Sequence, residues 1–549
     1  MALRKEVGYH TRTRTYRGAG SRATTFSRSS RARSGATSDN AVNGKSSPPP
    51  TSSRSTKRKH AEDDNHGSAK PAKKTTAGST RTPSARISRK LRAVPPSNRH
   101  TAQSTRAIVL PVLNQAPTEG LAVLVFGNGD AGELGLGPTE QEASRPRLNP
   151  FLDPDSPSAL HIVQLDCGGM HTIALTKDGK IVTWGVNDNG ALGRKTDWEG
   201  GSRDIDEDPE EDGGLNPLEA TPTPIPTHCF PPETKFVQVA AGDSCSLALT
   251  DTGFVYGWGT FKNPEGKELF GYTADGGLIE KQPYPTLIRG LDKITQIACG
   301  ANHALALDAK GVTWAWGCGE QNQLGRRLFG RRFMECLNPH PIEIKDIKYI
   351  ASGEYHSFAV DKKGNVWAWG LNSFGEAGYA KEAGSNSVLL PHPMKIPGLW
   401  GKGVVCLDGG AHHSAAVTAD GQCLVWGRLD GGQLGIDFSP EQLHDDSLIR
   451  YDERNKPRIC LRPTPVPGIG EVSHVACGTD HTIFITKEGQ AYAAGFNSQG
   501  QLGLGADEDD VMIARRIKGK AVKDRVLIWA GAGGQFSMVA ALSKPAGST

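Results

Sequence analysis

CGANHALALDAKGVTWAWG, residues 299–317, places a thiol, a glycine and an imidazole ahead of two short apolar runs and a Trp-Gly step. Taken alone, Cys299 and His303 at this spacing fit two zinc ligands as well as they fit a buried thiol and a hydrogen-bonded imidazole in a packed strand. Recurrence decides between the two. CGGMH (167–171), AGDSC (241–245), CGANH (299–303), SGEYH (352–356), GGAHH (409–413), CGTDH (477–481) and AGGQF (532–536) occupy equivalent places in the chain. In the first six, a second glycine follows the first at one fixed interval, 168 to 185, 242 to 259, 300 to 317, 353 to 370, 410 to 427 and 478 to 495. The distances between units vary, so the fixed interval marks a structural module and the variable stretches are connections.

Each module reads as a hairpin. In HTIALTKDGKIVTWG, residues 171–185, apolar alternation runs up to KDG and resumes into Trp184-Gly185. DTG, AKG, KKG, ADG and KEG stand at the same place in the other modules, and such turns need a glycine in the left-handed region. A second signature follows, NDNGALG (187–193), EQNQLG (320–325), NSFGEAG (372–378), LDGGQLG (429–435) and NSQGQLG (497–503). It predicts a turn at a blade edge. Units of several short strands repeated around a chain of this length predict an all-β fold, a seven-bladed propeller that protects its sheet edges by radial repetition. The seventh module stops after AGGQFSMVAAL, and VLVFGNGDAGELG (123–135) is a second half without a first. The two ends therefore share one blade and close the ring by pairing N- and C-terminal strands.

Repetition makes His171, His303, His356, His413 and His481 framework residues. Cys245 and Phe536 hold the same place, so the position accepts a non-ligand, and one histidine per blade is too dispersed for a single metal site. The repeated Trp residues read as core for the same reason.

Charge divides the chain. Residues 1–110 carry 24 Lys and Arg against 5 Asp and Glu, whereas the remainder carries 39 against 54. The basic arm, residues 1–106, is rich in Ser, Thr, Arg and Pro without helix or strand period, and is expected to be disordered. Within it KRKHAEDDNHGSAKPAKK, residues 57–74, sets Lys57, Arg58 and Lys59 apart from Lys70, Lys73 and Lys74, the pattern of a bipartite nuclear import signal read by an import receptor. The first thirty-odd residues are also Arg/Ser-rich and acid-poor like a mitochondrial transit peptide, but lack an amphipathic apolar face. No apolar run is long enough to span a membrane. Ten cysteines without a C-x-x-C pair fit reduced thiols better than a disulfide framework.

The repeated C-G-x-x-H, Trp-Gly and N-x-x-G-Q-L-G elements resemble the regulator of chromosome condensation repeat, over about residues 120–542. FGNGDAGELGLG followed by SRPRLNP, the insertion WGTFKNPEGKELFG and GCGEQNQLGRR make the chain similar to that family's nuclear exchange factors for the small GTPase Ran, the fungal members in particular. The resemblance implies a propeller over residues 107–549 that promotes GDP release without covalent chemistry or cofactor. Asp243 and His412 match rim residues implicated in exchange, and Asn302 matches a position that carries an aspartate in animal members; an amide accepts a hydrogen bond about half as strong as a carboxylate does. The rim residues Tyr355 and Asp480, together with Asp130 and Asn372, are expected to touch the GTPase. So is Phe261-Lys262-Asn263-Pro264-Glu265-Gly266-Lys267-Glu268, which matches the family's protruding β-wedge. Arg326, Arg327, Arg331 and Arg332 in GRRLFGRR are expected, with the arm, to contact DNA or a nucleosome. DIDEDPEEDGG (204–214) reads as a solvated linker. The competing reading is a non-catalytic propeller that serves as a scaffold or chromatin adaptor. A hydrolase is disfavoured, since the sequence has no nucleophile elbow, metal cluster or phosphate-cradling loop.

Overall fold

The computed structural model describes residues 111–199, 214–328, 335–385, 388–506 and 509–543. The import-signal residues, Arg331, Arg332 and nearly all of the acidic insertion lie outside them. Seven antiparallel sheets form the body, each of four strands except one of five. Blade one takes strands from both ends of the chain, with Leu121–Asn128 lying between Glu142–Leu148 and Phe536–Leu542, and Leu527–Ala532 beyond. The closing pair is in unbroken register from Leu121 opposite Leu542 to Gly127 opposite Phe536, as the incomplete end modules require.

Blades two to seven begin with Ile162–Cys167, Phe236–Ala241, Ile294–Cys299, Ile347–Ser352, Val404–Gly409 and Val472–Cys477. Each of these first strands packs against the first strand of the next blade, and that of blade seven against Leu527–Ala532 of blade one, which in turn meets blade two. They are thus the seven inner staves of a closed ring. The third residue of several staves is a glutamine that bonds across the seam. Gln164 donates to the Val239 carbonyl at 3.3 Å and accepts from the Val239 N–H at 3.0 Å, and Gln238 and Gln296 repeat this on Ile297 and Ile350. A primary amide offers one donor and one acceptor in the geometry of a peptide, so it substitutes for one rung of a β-ladder between blades that share none.

The second strand of each module is buried on both faces, as in His171–Thr176 and His413–Thr418. Alternation in the sequence predicts one covered face. Blades stacked face to face cover both, so the small or polar members of the alternation meet the neighbouring blade instead of water. There the histidines act. His171, His303, His356, His413 and His481 are fully buried, and each Nε2 meets the hydroxyl of Ser246, Ser357, Ser414, Thr482 or Ser537 in the following blade at 2.7–2.8 Å. Burial pushes their pKa values down to about 3 or 4, so they are neutral. Where Cys245 replaces the histidine, the following blade has Ala304 in place of the hydroxyl. At this seam loss of the histidine on one side is matched by loss of the hydroxyl on the other, whereas the blade after Phe536 keeps Thr172.

The N-x-x-G-Q-L-G signature is a turn, as expected, and it is also a seam. Trp184, Trp258, Trp369 and Trp426 donate their indole N–H to the carbonyls of Glu133, Ala191, Gln323 and Glu376, all in the preceding blade's signature. Its last glycine lies under that ring. At Gly193 (φ +66°) a Cβ would stand 2.8 Å from Trp258 Nε1, so both the backbone angle and the contact exclude a side chain.

Candidate functional site

The two ends of the ring differ. Every module's Gly-x-x-His, or its equivalent ending in Cys245 or Phe536, lies at the end where the hairpin opens, and the KDG-type turn at the other. At the opening end the two residues before each histidine form a rim, stitched by backbone bonds from Asp243 N to Ala301 O, Ala301 N to Glu354 O, Glu354 N to Gly410 O and Ala411 N to Thr479 O. These place Asp243, Asn302, Tyr355, His412 and Asp480 around one mouth, all partly covered.

The mouth is acidic and held off balance. Burial raises the Asp243 pKa to about 6, opposed by Lys262. Glu354 is pushed up to about 8, by burial first and then by the Asp243 charge. Glu354 is as much part of the rim as Tyr355, the neighbour that the sequence singles out. Asp480 is also raised by burial, against the pull of Arg428, whose Nη1 lies 3.2 Å from its carboxylate. Carboxylates that are costly to ionise together are stabilised by a cation brought from outside, so the mouth suits a lysine or arginine from a partner.

Beside Asp480, His412 stands with Nδ1 3.6 Å from the buried Glu376 carboxylate and its ring 4.7 Å from that of Phe374. Across the mouth, blade three carries two successive hairpins on its third strand, Phe261–Lys262 with Glu268–Leu269 and Gly271–Tyr272 with Leu278–Ile279. The buried Thr260 hydroxyl joins their roots, accepting from the Leu269 N–H at 3.1 Å and donating to the Glu280 carbonyl at 2.6 Å. In the first hairpin Pro264, Glu265, Gly266 and Lys267 form an exposed tip, with Asn263 Oδ1 accepting from the Lys267 N–H. Asn302 reaches this element directly, its Oδ1 accepting from the Lys262 N–H at 2.6 Å. The side chain expected to face a partner instead ties the wedge to the rim.

Other expected contacts divide. Asp130 is exposed near the rim, its carboxylate accepting from Asn128. Glu268 and Lys262 flank the wedge root. Phe261 is buried and stacks on Phe270, an anchor and not a contact. Asn372 is likewise fully buried, its amide donating to the Tyr379 carbonyl and accepting from the Ala377 N–H, so it presents nothing to a partner. Asn187 does the same work in blade two. Arg327 is exposed, but Arg326 turns inward toward the Ala315 carbonyl at 3.5 Å, as the buried Arg194 does onto Thr183. Both follow the last glycine of the signature, and the turn aims them into their own blade.

Among the described residues no group of three or more His, Cys, Asp or Glu could hold a metal ion, and no helix is long and apolar enough to cross a membrane. The acid-lined rim and the exposed hairpin tip beside it make a docking face built on a repeat ring.

The family described as the RCC1-like domain matches residues 122–539, and the chain belongs to it. It is 39% identical over 430 residues to the guanine nucleotide exchange factor SRM1 of Saccharomyces cerevisiae, covering 76% of this chain and 86% of that one. The crystal structure of Prp20p from the same yeast, described together with its binding properties to Gsp1p and histones, superposes with a TM-score of 0.70 at 36% identity, covering 79% of this chain and 94% of that one. A second structure, of yeast RCC1 (Prp20) with Kap60 bound, gives the same TM-score at 35% identity over 82% of this chain and 97% of that one.

Proposed function

We infer that this protein is a guanine-nucleotide exchange factor for the small GTPase Ran, working in the nucleus in association with chromatin and supporting nucleocytoplasmic transport and mitosis. The yeast relative SRM1, matched over 86% of its length, is named a guanine nucleotide exchange factor, and the partners named for the yeast structures, Gsp1p, histones and Kap60, correspond to the GTPase, chromatin and import receptor expected of this chain. The observation that carries the reading is the wedge, an exposed Pro264–Lys267 tip fixed by Asn302 to the edge of an acid-lined mouth.

The proposed mechanism uses no covalent chemistry. Asp243, Glu354 and Asp480 receive basic side chains of the GTPase, and that pairing compensates the cost of keeping these acids ionised. Docking so fixed brings the wedge tip against the nucleotide-binding region. Affinity is then greatest for the conformation that has lost GDP, and a protein that binds one state better shifts the population to it by its differential affinity. GTP from solution refills the emptied site. The exposed Arg327 remains a chromatin contact together with the arm.

The test is release of a fluorescent GDP from Ran by the full chain. Release accelerated well beyond the intrinsic rate is expected. Release at the intrinsic rate, with the complex still forming, would instead establish a non-catalytic scaffold.

A further inference from the structure

Among the described residues blade six alone has a fifth strand, and its position is unusual. Ile449–Tyr451 pairs with Pro457–Pro465, which in turn pairs with the third strand of the blade, Cys423–Arg428. Arg428 is the last residue of that strand at the mouth end and lies opposite Ile459. Pro457, Arg458 and the turn from Asp452 to Lys456 therefore extend past the end of the blade, on the same face as the wedge. Blade six is three blades from blade three in a ring of seven, so the two hairpins flank the mouth from roughly opposite sides.

This second hairpin is built to hold its shape. Asp452 Oδ1 accepts from the Arg454 and Lys456 N–H groups at 2.9 and 2.8 Å, closing the turn. Ile459 and Leu461 are buried with Ala383 of blade five and packed by Phe374, a small apolar core of the hairpin's own. Arg450 donates to the Ala383 carbonyl. The Arg458 and Arg428 guanidiniums lie 4.8 and 5.7 Å from the centre of the Phe374 ring, which also contacts the His412 ring at a tilt. The charge is opposite to that of the mouth. Between 450 and 458, Arg450, Arg454, Lys456 and Arg458 stand against Asp452 and Glu453, and Arg454, Lys456 and Arg458 are exposed.

We propose that the hairpin over residues 449–459 is a second docking element for the GTPase that sits on the mouth, and that it receives an acidic stretch of that GTPase's surface. The proposal rests on the exchange-factor reading and deepens it. Two elements of opposite charge on one face demand a partner with basic and acidic patches at matching separation, which fixes orientation as well as affinity. Continuity supports the same partner for both. The Phe374 ring joins the hairpin to His412, and Arg428 joins Phe374 to Asp480, so anything seated on the mouth lies beside the basic tip.

The experiment is steady-state exchange by the full chain at low and moderate salt. Arg454→Glu with Lys456→Glu alters only the exposed tip and is compared with Lys362→Glu with Lys363→Glu, which places equal charge on a turn at the opposite end of the ring. The tip variant is expected to raise KM for the GTPase about tenfold and to flatten the salt dependence of kcat/KM, with the control at the wild-type KM. Melting curves of both variants confirm folding, and Arg454→Gln with Lys456→Gln should fall between wild type and reversal. An unchanged KM in the tip variant, with wild type active, overturns the proposal. So does an unchanged KM with weakened binding to duplex DNA, which would make the hairpin a nucleic-acid contact. A wild-type chain that fails to release GDP overturns the functional reading itself, a result separable from the other two.

Discussion

His412 and His413 are adjacent in the chain and do unlike things. His413 is fully buried, neutral, and bonded through Nε2 to the Thr482 hydroxyl of the next blade at 2.8 Å. His412 stays partly open at the rim, beside Glu376 and Phe374. One step along an extended backbone turns the side chain to the other face, and here the two faces are a seam between blades and the mouth of the ring. The same residue type therefore says nothing about role; its place in the module does.

Substituting the two should separate stability from exchange. His413→Ala leaves a cavity between two blades and breaks the bond to Thr482, whose hydroxyl keeps only the Gln433 carbonyl at 2.7 Å, and is expected to destabilise the ring by about 3 kcal/mol. Exchange measured well below the melting temperature should change little. His412→Ala is expected to shift stability by less than about 0.5 kcal/mol while slowing exchange roughly tenfold, the weight of one lost contact of about 1.4 kcal/mol. Thermal melts and GDP release on both proteins check this. Equal loss of melting temperature in both would erase the distinction between seam and rim.

The framework was legible because its constraints are local and repeated. A glycine in the left-handed region, a glycine under a tryptophan and a histidine facing a hydroxyl leave the same mark in most blades. The rule that marks His413 as scaffold applies equally to Asn372 and Arg326, whose counterparts Asn187 and Arg194 stand in the same signature. Their inward direction follows from turn geometry, which residue type conceals, and only recurrence signals it. The seam glutamines Gln164, Gln238 and Gln296 recur too, but a glutamine third in a strand reads equally well as solvent-facing until the neighbouring blade is in place. Glu354 was hidden for a different reason. Its neighbour Tyr355 is the bulkier rim residue, and the carboxylate matters through burial beside Asp243, which is a property of the closed ring. The second hairpin leaves no repeat and no turn glycine, since Asn455 supplies the positive φ.

The rim itself holds residues of two kinds, and Asn302 tests the division. Its amide oxygen accepts from the wedge backbone, so an acceptor should suffice, with or without charge. Asn302→Asp keeps the acceptor and should exchange within about threefold of wild type, whereas Asn302→Ala removes one hydrogen bond worth about 1 kcal/mol and should slow exchange about fivefold. Binding of the nucleotide-free GTPase, read by titration, should weaken less than exchange does, because the mouth remains intact. Equal rates for the Asp and Ala variants would show that the wedge does not need this anchor.

Glu354 offers the finest test, because it sits at the rim yet behaves as a buried group. Its folded pKa of about 8 is raised above the ordinary glutamate value, so the folded ring holds a proton that the unfolded chain has released. Stability from this group is complete below the unfolded pKa, and is lost as pH rises until the folded pKa has been passed. Glu354→Gln is permanently neutral and close in shape, so its melting temperature relative to wild type should climb from about pH 5 to pH 8 and level off beyond. A basic side chain of the bound GTPase should reverse this, since a cation beside Glu354 favours the ionised form; in the complex the variant should lose its advantage and bind more weakly at pH 8 than wild type does. A difference in melting temperature that stays flat with pH in the free protein would mean that Glu354 is already ionised, and that the mouth is a preformed anionic socket needing no partner to charge it.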